Sequence, residues 1–281
     1  MSLSDKALLA QLSISQWTAR KYDRKVSNEI ANQHNAAIQA GRYHKALLPM
    51  ADQLTNVHKK AGHIRNTFYA NTVPWGIEGT MMLPSKNYLD FMAIFRKEKS
   101  EWESIVTEFF SSYEQLCRDA RRWRGSMYDP NDYPPLSEIR DKFRMELAIM
   151  PVPENDFRVE IPEAEKAQLE AELGQRVQDA SDLAMKNVWQ QLYDKVEWLH
   201  EKLTDPNKLL QAGTYQGMSV LCDLLPKLNV ADDPALDGVA AQVKATIANH
   251  HHESLRNDPD LRRTVAAETK EIMDRIKGYM T

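Results

Sequence analysis

Apolar side chains recur along most of this chain at steps of three and four, the period of a helix that buries one face. Tyr22, Val26, Ile30, His34 and Ile38 repeat every four residues. Ser13 and Ser15 precede them, and a serine hydroxyl caps a helix by accepting an orphan backbone N–H. Gly41 is a natural stop. The spacing predicts a first helix from Ser13 or Ser15 to Gly41, with His34 as a satisfied histidine on its apolar stripe.

A more regular stretch follows. Tyr43, Leu47, Met50, Leu54, Val57, Ala61, Ile64 and Phe68 alternate steps of four and three, the heptad spacing of a helix–helix seam. Pro49 interrupts it and predicts a kink or restart near Leu48. Pro74, Gly76, Gly79 and Pro84 then break the pattern over residues 70–86, which reads as an ordered loop or a short extended excursion. Residues 86–124 predict a second long helix, with Trp102, Val106, Phe109, Tyr113, Leu116, Ala120 and Trp123 as its seam. Packing this seam antiparallel against residues 49–68 would cover both.

Gly125 closes that helix, and residues 126–137 are rich in turn formers. A short helix at 136–142 precedes two alternating segments, FRMELAIMPVP and DFRVEI, which predict a β-hairpin at 143–161. Pro162 then opens the longest helix, about 162–203, whose stripe runs Leu169, Leu173, Val177, Ala180, Ala184, Val188, Leu192, Val196, Leu199 and Leu203. Its steps are mostly four, so it suits straight packing better than a supercoil. Asp205-Pro206, Asp233-Pro234 and Asp258-Pro259 each supply a cap and a first-turn proline. They predict short helices near 206–212, 215–228, 234–252 and 259–277. The expected fold is mainly α: a long-helix antiparallel coiled-coil-like bundle with a small β-hairpin and a C-terminal set of shorter helices. The corresponding regions are 1–142, 143–161 and 162–281.

Charge adds an asymmetry. Residues 1–153 carry 21 Lys and Arg against 17 Asp and Glu, and residues 154–281 carry 15 against 23. A basic half and an acidic half fit polyanion contact, pairing between copies, or simply two solvated surfaces. Cys117 and Cys222 form no CxxC and no disulfide framework, which fits reduced thiols. The start, MSLSDKALLAQLS, lacks the pattern of a secretory signal, and no apolar run reaches the roughly 18 residues of a membrane span. The expectation is a cytoplasmic protein.

Two basic clusters stand out. Arg20, Lys21, Arg24 and Lys25 lie on the first predicted helix; Arg118, Arg121, Arg122 and Arg124 end the second, beside Trp123. Guanidiniums beside an aromatic grip phosphates and stack bases, although cations at a helix C-terminus also follow from the helix dipole. Trp75 beside Pro74 is either an exposed anchor for a partner or a plug in a helical bundle. His250, His251 and His252 fan around a helix, and His58 and His63 are five apart, so neither set suits a metal. No phosphate-binding glycine loop, nucleophile elbow or HExxH is present. A protein without catalytic activity, cofactor or metal is expected.

The segments LSISQWTARKYDRKVSNEIANQHNA, GRYHKALLP, FYANTVPWGIEGTMMLPSKNYLDFM, DYPPLSEIRDKF and MPVPENDFRVEI resemble an uncharacterised family of tailed phages and prophages, a domain of unknown function. The resemblance spans about residues 12–165. It implies an accessory phage protein in an infected bacterium. It also implies a partner, an AAA+ ATPase or a host factor, since related genes lie near such ATPases. Two functions follow: a homo-oligomer that binds another protein as scaffold or adaptor, or a nucleic-acid-binding protein of phage DNA metabolism that uses the basic helices.

Overall fold

The computed structural model describes residues 2–154, 160–205, 208, 212–250 and 252–280. About 70 % of the chain is helical, with a small antiparallel sheet and several long helices. The fold divides into two compact units. Unit 1 takes Met1–Gln11, Thr67–Ala93 and Ala148–Thr281; unit 2 takes Leu12–Asn66 and Ile94–Leu147.

In unit 1 a short helix, α1 (Leu3–Lys6), leads into β1 (Ala7–Ser15), whose first residues pair antiparallel with β5 (Met81–Pro84). Leu8 stands opposite Leu83 and Leu9 opposite Met82. A two-residue strand, β4 (Val73–Pro74), pairs with the other edge of β5, and β6 (Arg144–Pro151) flanks β1, giving the order β4-β5-β1-β6. The extended excursion expected over residues 70–86 is therefore two strands. Gly76 and Gly79 both sit at positive φ, +86° and +76°, in the turn between them, where a side chain would be strained.

The helix α6 (Glu163–Thr204) is the spine of unit 1. Its stripe from Ala180 through Leu203 is buried, as the steps of four predict, whereas Leu169 at its start is exposed. The long helix α10 (Pro259–Met280) runs antiparallel to it. Trp189 stacks on Tyr279 at 4.9 Å, and His200 Nδ1 lies 2.9 Å from the Ala266 carbonyl. The Arg262 guanidinium donates to the carbonyls of Lys202 and Leu203 in the last turn of α6, where the helix leaves acceptors open, and to those of Asp205 and Lys208 just beyond it.

Between α7 (Ala212–Leu228) and α8 (Pro234–Asn249), buried Asn229 donates to the Asp233 carbonyl and Asp237 Oδ1 while its own Oδ1 accepts from Asp233 N–H. Asp233 caps α8 through Ala235 N–H with Pro234 in the first turn, as its Asp-Pro pair predicts. The chain reaches α10 through a helix no spacing suggested, α9 (His252–Asn257). Residues 206–207 and 209–211 of the helix expected near 206–212, and residues 156–159 of the expected second strand DFRVEI (156–161), fall outside the described residues; Glu160 and Ile161 are not in a strand. The first strand of that hairpin is β6, whose sheet neighbour is β1.

Unit 2 corrects the first predicted helix. Residues 12–15 complete β1, because Leu12-Ser13-Ile14-Ser15 alternates with the period of a strand and the two serines face outward instead of capping. A second strand, β2 (Arg20–Tyr22), pairs antiparallel with β3 (His44–Ala46). Only Arg24–Gln33 is α-helical, as α2, with Asp23 accepting from Val26 N–H as its cap, and a single 3-10 turn follows at Ile38–Ala40. Its buried face is Ser27 and Ala31. Tyr22, Ile30, His34 and Ile38 are exposed, so His34 is not a core histidine.

The second seam restarts where Pro49 predicts, as α3 (Asp52–Ala70). Leu54, Val57, Ala61 and Ile64 are buried, while Tyr43 and Met50, ahead of the restart, are exposed. The helix α4 (Ser85–Arg124) buries Trp102, Val106, Phe109, Tyr113 and Ala120. Lys60 meets Glu101 at 2.6 Å and His63 meets Glu98 at 2.9 Å, so residue numbers rise along α3 as they fall along α4. Phe109 and Phe110 extend the cluster to Phe143, just past the short helix α5 (Leu136–Arg140). No helix among the described residues is long and apolar enough to cross a membrane.

Candidate nucleic-acid interface

The two basic clusters of the sequence lie almost a hundred residues apart, and both belong to unit 2. In the β2–β3 ribbon Arg20 stands directly across from Ala46. The Ala46 carbonyl also accepts a hydrogen bond from the Arg124 guanidinium at the end of α4. One backbone carbonyl thus holds the end of the second cluster against the start of the first. Facing residues in a strand pair stand about 5 Å apart, so Arg20 and Arg124 are neighbours. The tether follows from helix geometry: Gly125, at φ +52°, ends α4 and the last turn's arginines project beyond it.

The alternating faces of the ribbon sort the remaining charges. Lys21 and Lys45 form a cross-strand pair on one face, and both reach Asp132, at 2.7 and 2.5 Å. Lys45 also meets Asp23 at 3.3 Å and donates to the Met127 carbonyl. The Lys45 and Asp132 side chains are only 9 % and 3 % exposed, so this is a buried ion cluster. Its 2.5 Å contact is a charge contact without hydrogen-bond geometry. Burial disfavours the Asp132 carboxylate, yet Lys21 and Lys45 outweigh it and hold its pKa below the ordinary value. The Val26 N–H and Lys45 do the same for Asp23. For Lys45, burial opposes the charge, and Asp132 and Asp23 more than offset it, raising its pKa. The opposite face carries Arg20, Tyr22 and, across from Tyr22, His44, whose rings lie 5.7 Å apart.

The candidates are therefore not equivalent. Arg20, Arg24, Arg121 and Arg122 are exposed and carry no ion pair among the described residues. Lys21 is committed to Asp132, and Lys25 sits 4.0 Å from Glu29. Arg118 donates twice to Gln115 Oε1 and borders a separate cavity with Phe110 and Arg140. Arg124 is structural through Ala46, but its Nε and Nη2 have no acceptor.

Trp123 breaks the predicted seam. It is 60 % exposed, although its spacing places it in line with Phe109 and Ala120. The helix outruns its cover there, because the chain facing it, Leu48-Pro49-Met50-Ala51, has not yet entered α3. The result is an open cavity of about 210 Å³ bordered by Leu48, Pro49, Met50, Leu116, Asp119 and Trp123. Sequence spacing missed both this cavity and the Lys45 cluster; the exposed Met50 at 65 % is its other apolar wall.

Trp75 lies in unit 1 and is 2 % exposed, packed in a cluster with Val73, Met82, Ala180 and Ala184. An anchor for a partner needs an exposed ring, so the reading of Trp75 and Pro74 as a partner-binding site is corrected: the indole is a core side chain delivered by the Gly76 turn. Among the described residues no three His, Cys, Asp or Glu stand together as a metal site. His58 Nε2 donates to the Trp17 carbonyl, 2.9 Å away, and His63 faces Glu98. Comparison of the chain with protein-family models, with curated proteins and with solved structures finds no match.

Proposed function

We propose that the protein binds nucleic acid through unit 2. The observation that carries this reading is the meeting of the two basic clusters at the Ala46 carbonyl, which brings Arg20 and Arg124 together; Arg24, Arg121 and Arg122 follow or precede them closely in sequence. Lysines and arginines that neutralise phosphates release condensed counterions, and unpaired exposed guanidiniums do so at least cost. Composition supports the same surface: unit 2 holds 19 Lys and Arg against 14 Asp and Glu, whereas unit 1 holds 17 against 26. In this reading α3 and α4 form an antiparallel coiled-coil-like scaffold, and its end presents the arginines. The setting the sequence resemblance implies, an accessory phage protein in a bacterial cytoplasm, is compatible with it.

The test is binding of a labelled oligonucleotide across a salt series. Every cation that neutralises a phosphate adds about 0.7–0.9 to the slope of log affinity against log salt. Replacing Arg20, Arg121 and Arg122 by Gln is expected to flatten the slope by about two to three. A salt-independent affinity, or no binding at low salt, rejects the reading. Self-association with a protein partner is the second reading. It is favoured by the exposed Ile38 and by the exposed Ile30, which lines a cavity of about 310 Å³ together with Ala31, His34 and Tyr43.

A further inference from the structure

We infer that a cavity between α4 and α5 holds a small phosphate ester that carries free hydroxyl groups, the class of the sugar phosphates. This goes beyond the nucleic-acid reading and does not depend on it. Thr107, Ser111, Glu114 and Arg118 step by four, three and four, so they share one face of α4, and Phe110 borders that face. Arg140 borders the same cavity from α5. The cavity is open and measures about 430 Å³, inside the range of roughly 300–1,000 Å³ usual for small-molecule sites.

Two guanidiniums line it. Arg140 lies over the Phe110 ring, 5.1 Å from its centroid, and Phe143 meets the same ring at 5.5 Å, which holds the stack in place. A stacked guanidinium keeps its N–H edge free, and Arg140 has no ion pair among the described residues. Arg118 bends back over Gln115, whose Oε1 accepts from its Nε and Nη2. Its pair with Glu114 is long, at 3.9 Å, between side chains 63 % and 80 % exposed, and such a pair contributes little. One guanidinium fork satisfies a carboxylate. Two suit a phosphate monoester, which brings about two charges and three acceptor oxygens near neutral pH. The rest of the lining accepts. Ser111 Oγ donates to the Thr107 carbonyl at 3.0 Å and Thr107 Oγ1 to the Glu103 carbonyl at 2.8 Å, so each hydroxyl has spent its proton. Their oxygens and the Glu114 carboxylate stand as acceptors beside the arginines. A bare phosphate has nothing to give them and is repelled by Glu114. A phosphorylated sugar donates its hydroxyls there while its phosphate meets the arginines. An internal phosphodiester of DNA has neither the second charge nor a free hydroxyl, so the small ester is the favoured occupant.

The experiment is isothermal titration calorimetry of the full chain with ribose 5-phosphate, inorganic phosphate and ribose at millimolar concentration. The expected result is saturable binding of ribose 5-phosphate, weaker binding of phosphate and none of ribose. Arg118→Gln and Arg140→Gln should each weaken ribose 5-phosphate by about tenfold or more, the loss expected when a hydrogen bond to a charged group is removed. Glu114→Ala separates the two halves of the site: it should weaken ribose 5-phosphate and tighten inorganic phosphate. All three side chains are exposed, which keeps folding out of the comparison, and a circular dichroism melt of each variant verifies this. No binding of ribose 5-phosphate, or unchanged binding by the Arg118→Gln, Arg140→Gln double variant, overturns the site. Equal affinity for ribose 5-phosphate and phosphate, or a Glu114→Ala variant that tightens both alike, overturns the assignment of the hydroxyls. An oligonucleotide that binds and is weakened by the same arginine substitutions, while ribose 5-phosphate does not bind, gives these arginines to the nucleic-acid surface and overturns the small-molecule site.

Discussion

Lys45→Met tests how unit 2 is held together. The lysine is the common partner of Asp23 and Asp132, at 3.3 and 2.5 Å, and its side chain is almost fully covered. Methionine matches its length and removes the charge. Two carboxylates then remain in a covered site with only Lys21 left to answer Asp132, at 2.7 Å and half exposed. Breaking a buried pair by removing one partner costs about 3–5 kcal/mol. The surviving Lys21 contact puts the expectation at the lower end, about 3 kcal/mol, since an exposed ion pair contributes up to about 1 kcal/mol. At about 2–4 °C per kcal/mol for a chain of this size, the melting temperature is expected to fall by roughly 6–12 °C.

The assay is thermal unfolding followed by circular dichroism, repeated across pH. The pKa values of Asp23 and Asp132 are depressed in the folded chain, so their contribution is present above their ordinary value of 3.8 and is lost as pH falls through the folded values. Lys45 is raised, so its contribution is present below 10.5 and is lost as pH rises through its folded value. The gap between wild type and variant should thus be widest near neutrality and close in acid. Adding Asp132→Asn to Lys45→Met should recover part of the loss. An unshifted melt at pH 7, or a gap that persists unchanged in acid, refutes the account of a buried charge cluster.

Trp75→Ala should lower the denaturant midpoint of the chain, because removing a buried aromatic costs about 3–5 kcal/mol; an unchanged midpoint contradicts its placement in the core. Asp232 lies 2.6 Å from both Lys6 and Lys86, whose contacts lower its pKa to about 2. NMR titration should find it ionised well below the ordinary carboxylate range, and Lys6→Met with Lys86→Met should return it there; being depressed, its contribution disappears only as pH falls through about 2. Burial pushes the Cys222 thiol up to about 11. Iodoacetamide at pH 8 should therefore modify it only after denaturation, and rapid native labelling would show that the α7 face is open. Arg262→Met should speed amide exchange in the last turn of α6, because the Lys202 and Leu203 carbonyls lose the Arg262 donor; unchanged exchange there would make the cap incidental.

Long helices were legible wherever a stripe was unbroken for several turns. The stripe from Ala180 to Leu203 and the run from Leu54 to Ile64 are buried as their spacing predicts, and Pro49, Gly125 and Pro234 mark real boundaries. The first helix failed because two periods coexist. Tyr22, Val26, Ile30, His34 and Ile38 keep a helical step, but residues 12–15 alternate, and Ala19 and Asn35, at φ +50° and +49°, bracket a helix of only ten residues. A short helix buries little, so its small face of Ser27 and Ala31 suffices and the larger apolar residues remain outside. Trp75 shows the converse: its loop composition left two readings open, and only the Gly76 turn aiming the indole at Ala180 and Ala184 separates them.

The candidate interface was half legible for a related reason. Residue type alone exposed both arginine clusters, and composition exposed a basic N-terminal half. Cutting the sequence at residue 153 blurs the charge, because unit 1 takes residues from both sides of that cut. Sorted by unit, the basic excess grows from four to five over fewer residues, and the acidic excess grows from eight to nine. The joining contact, Arg124 on the Ala46 carbonyl, has no sequence signature, since any residue at position 46 offers the same oxygen. What makes it specific is register: the β2–β3 pairing places Arg20 opposite that residue, and the same pairing turns Lys21 and Lys45 inward to Asp132. A one-residue slip would send Lys21 to the outer face and Arg20 into the carboxylates. The buried cluster therefore fixes which cations are free to meet a phosphate, and loosening it by Lys45→Met should weaken nucleic-acid binding at temperatures below the melt, although Lys45 itself is covered.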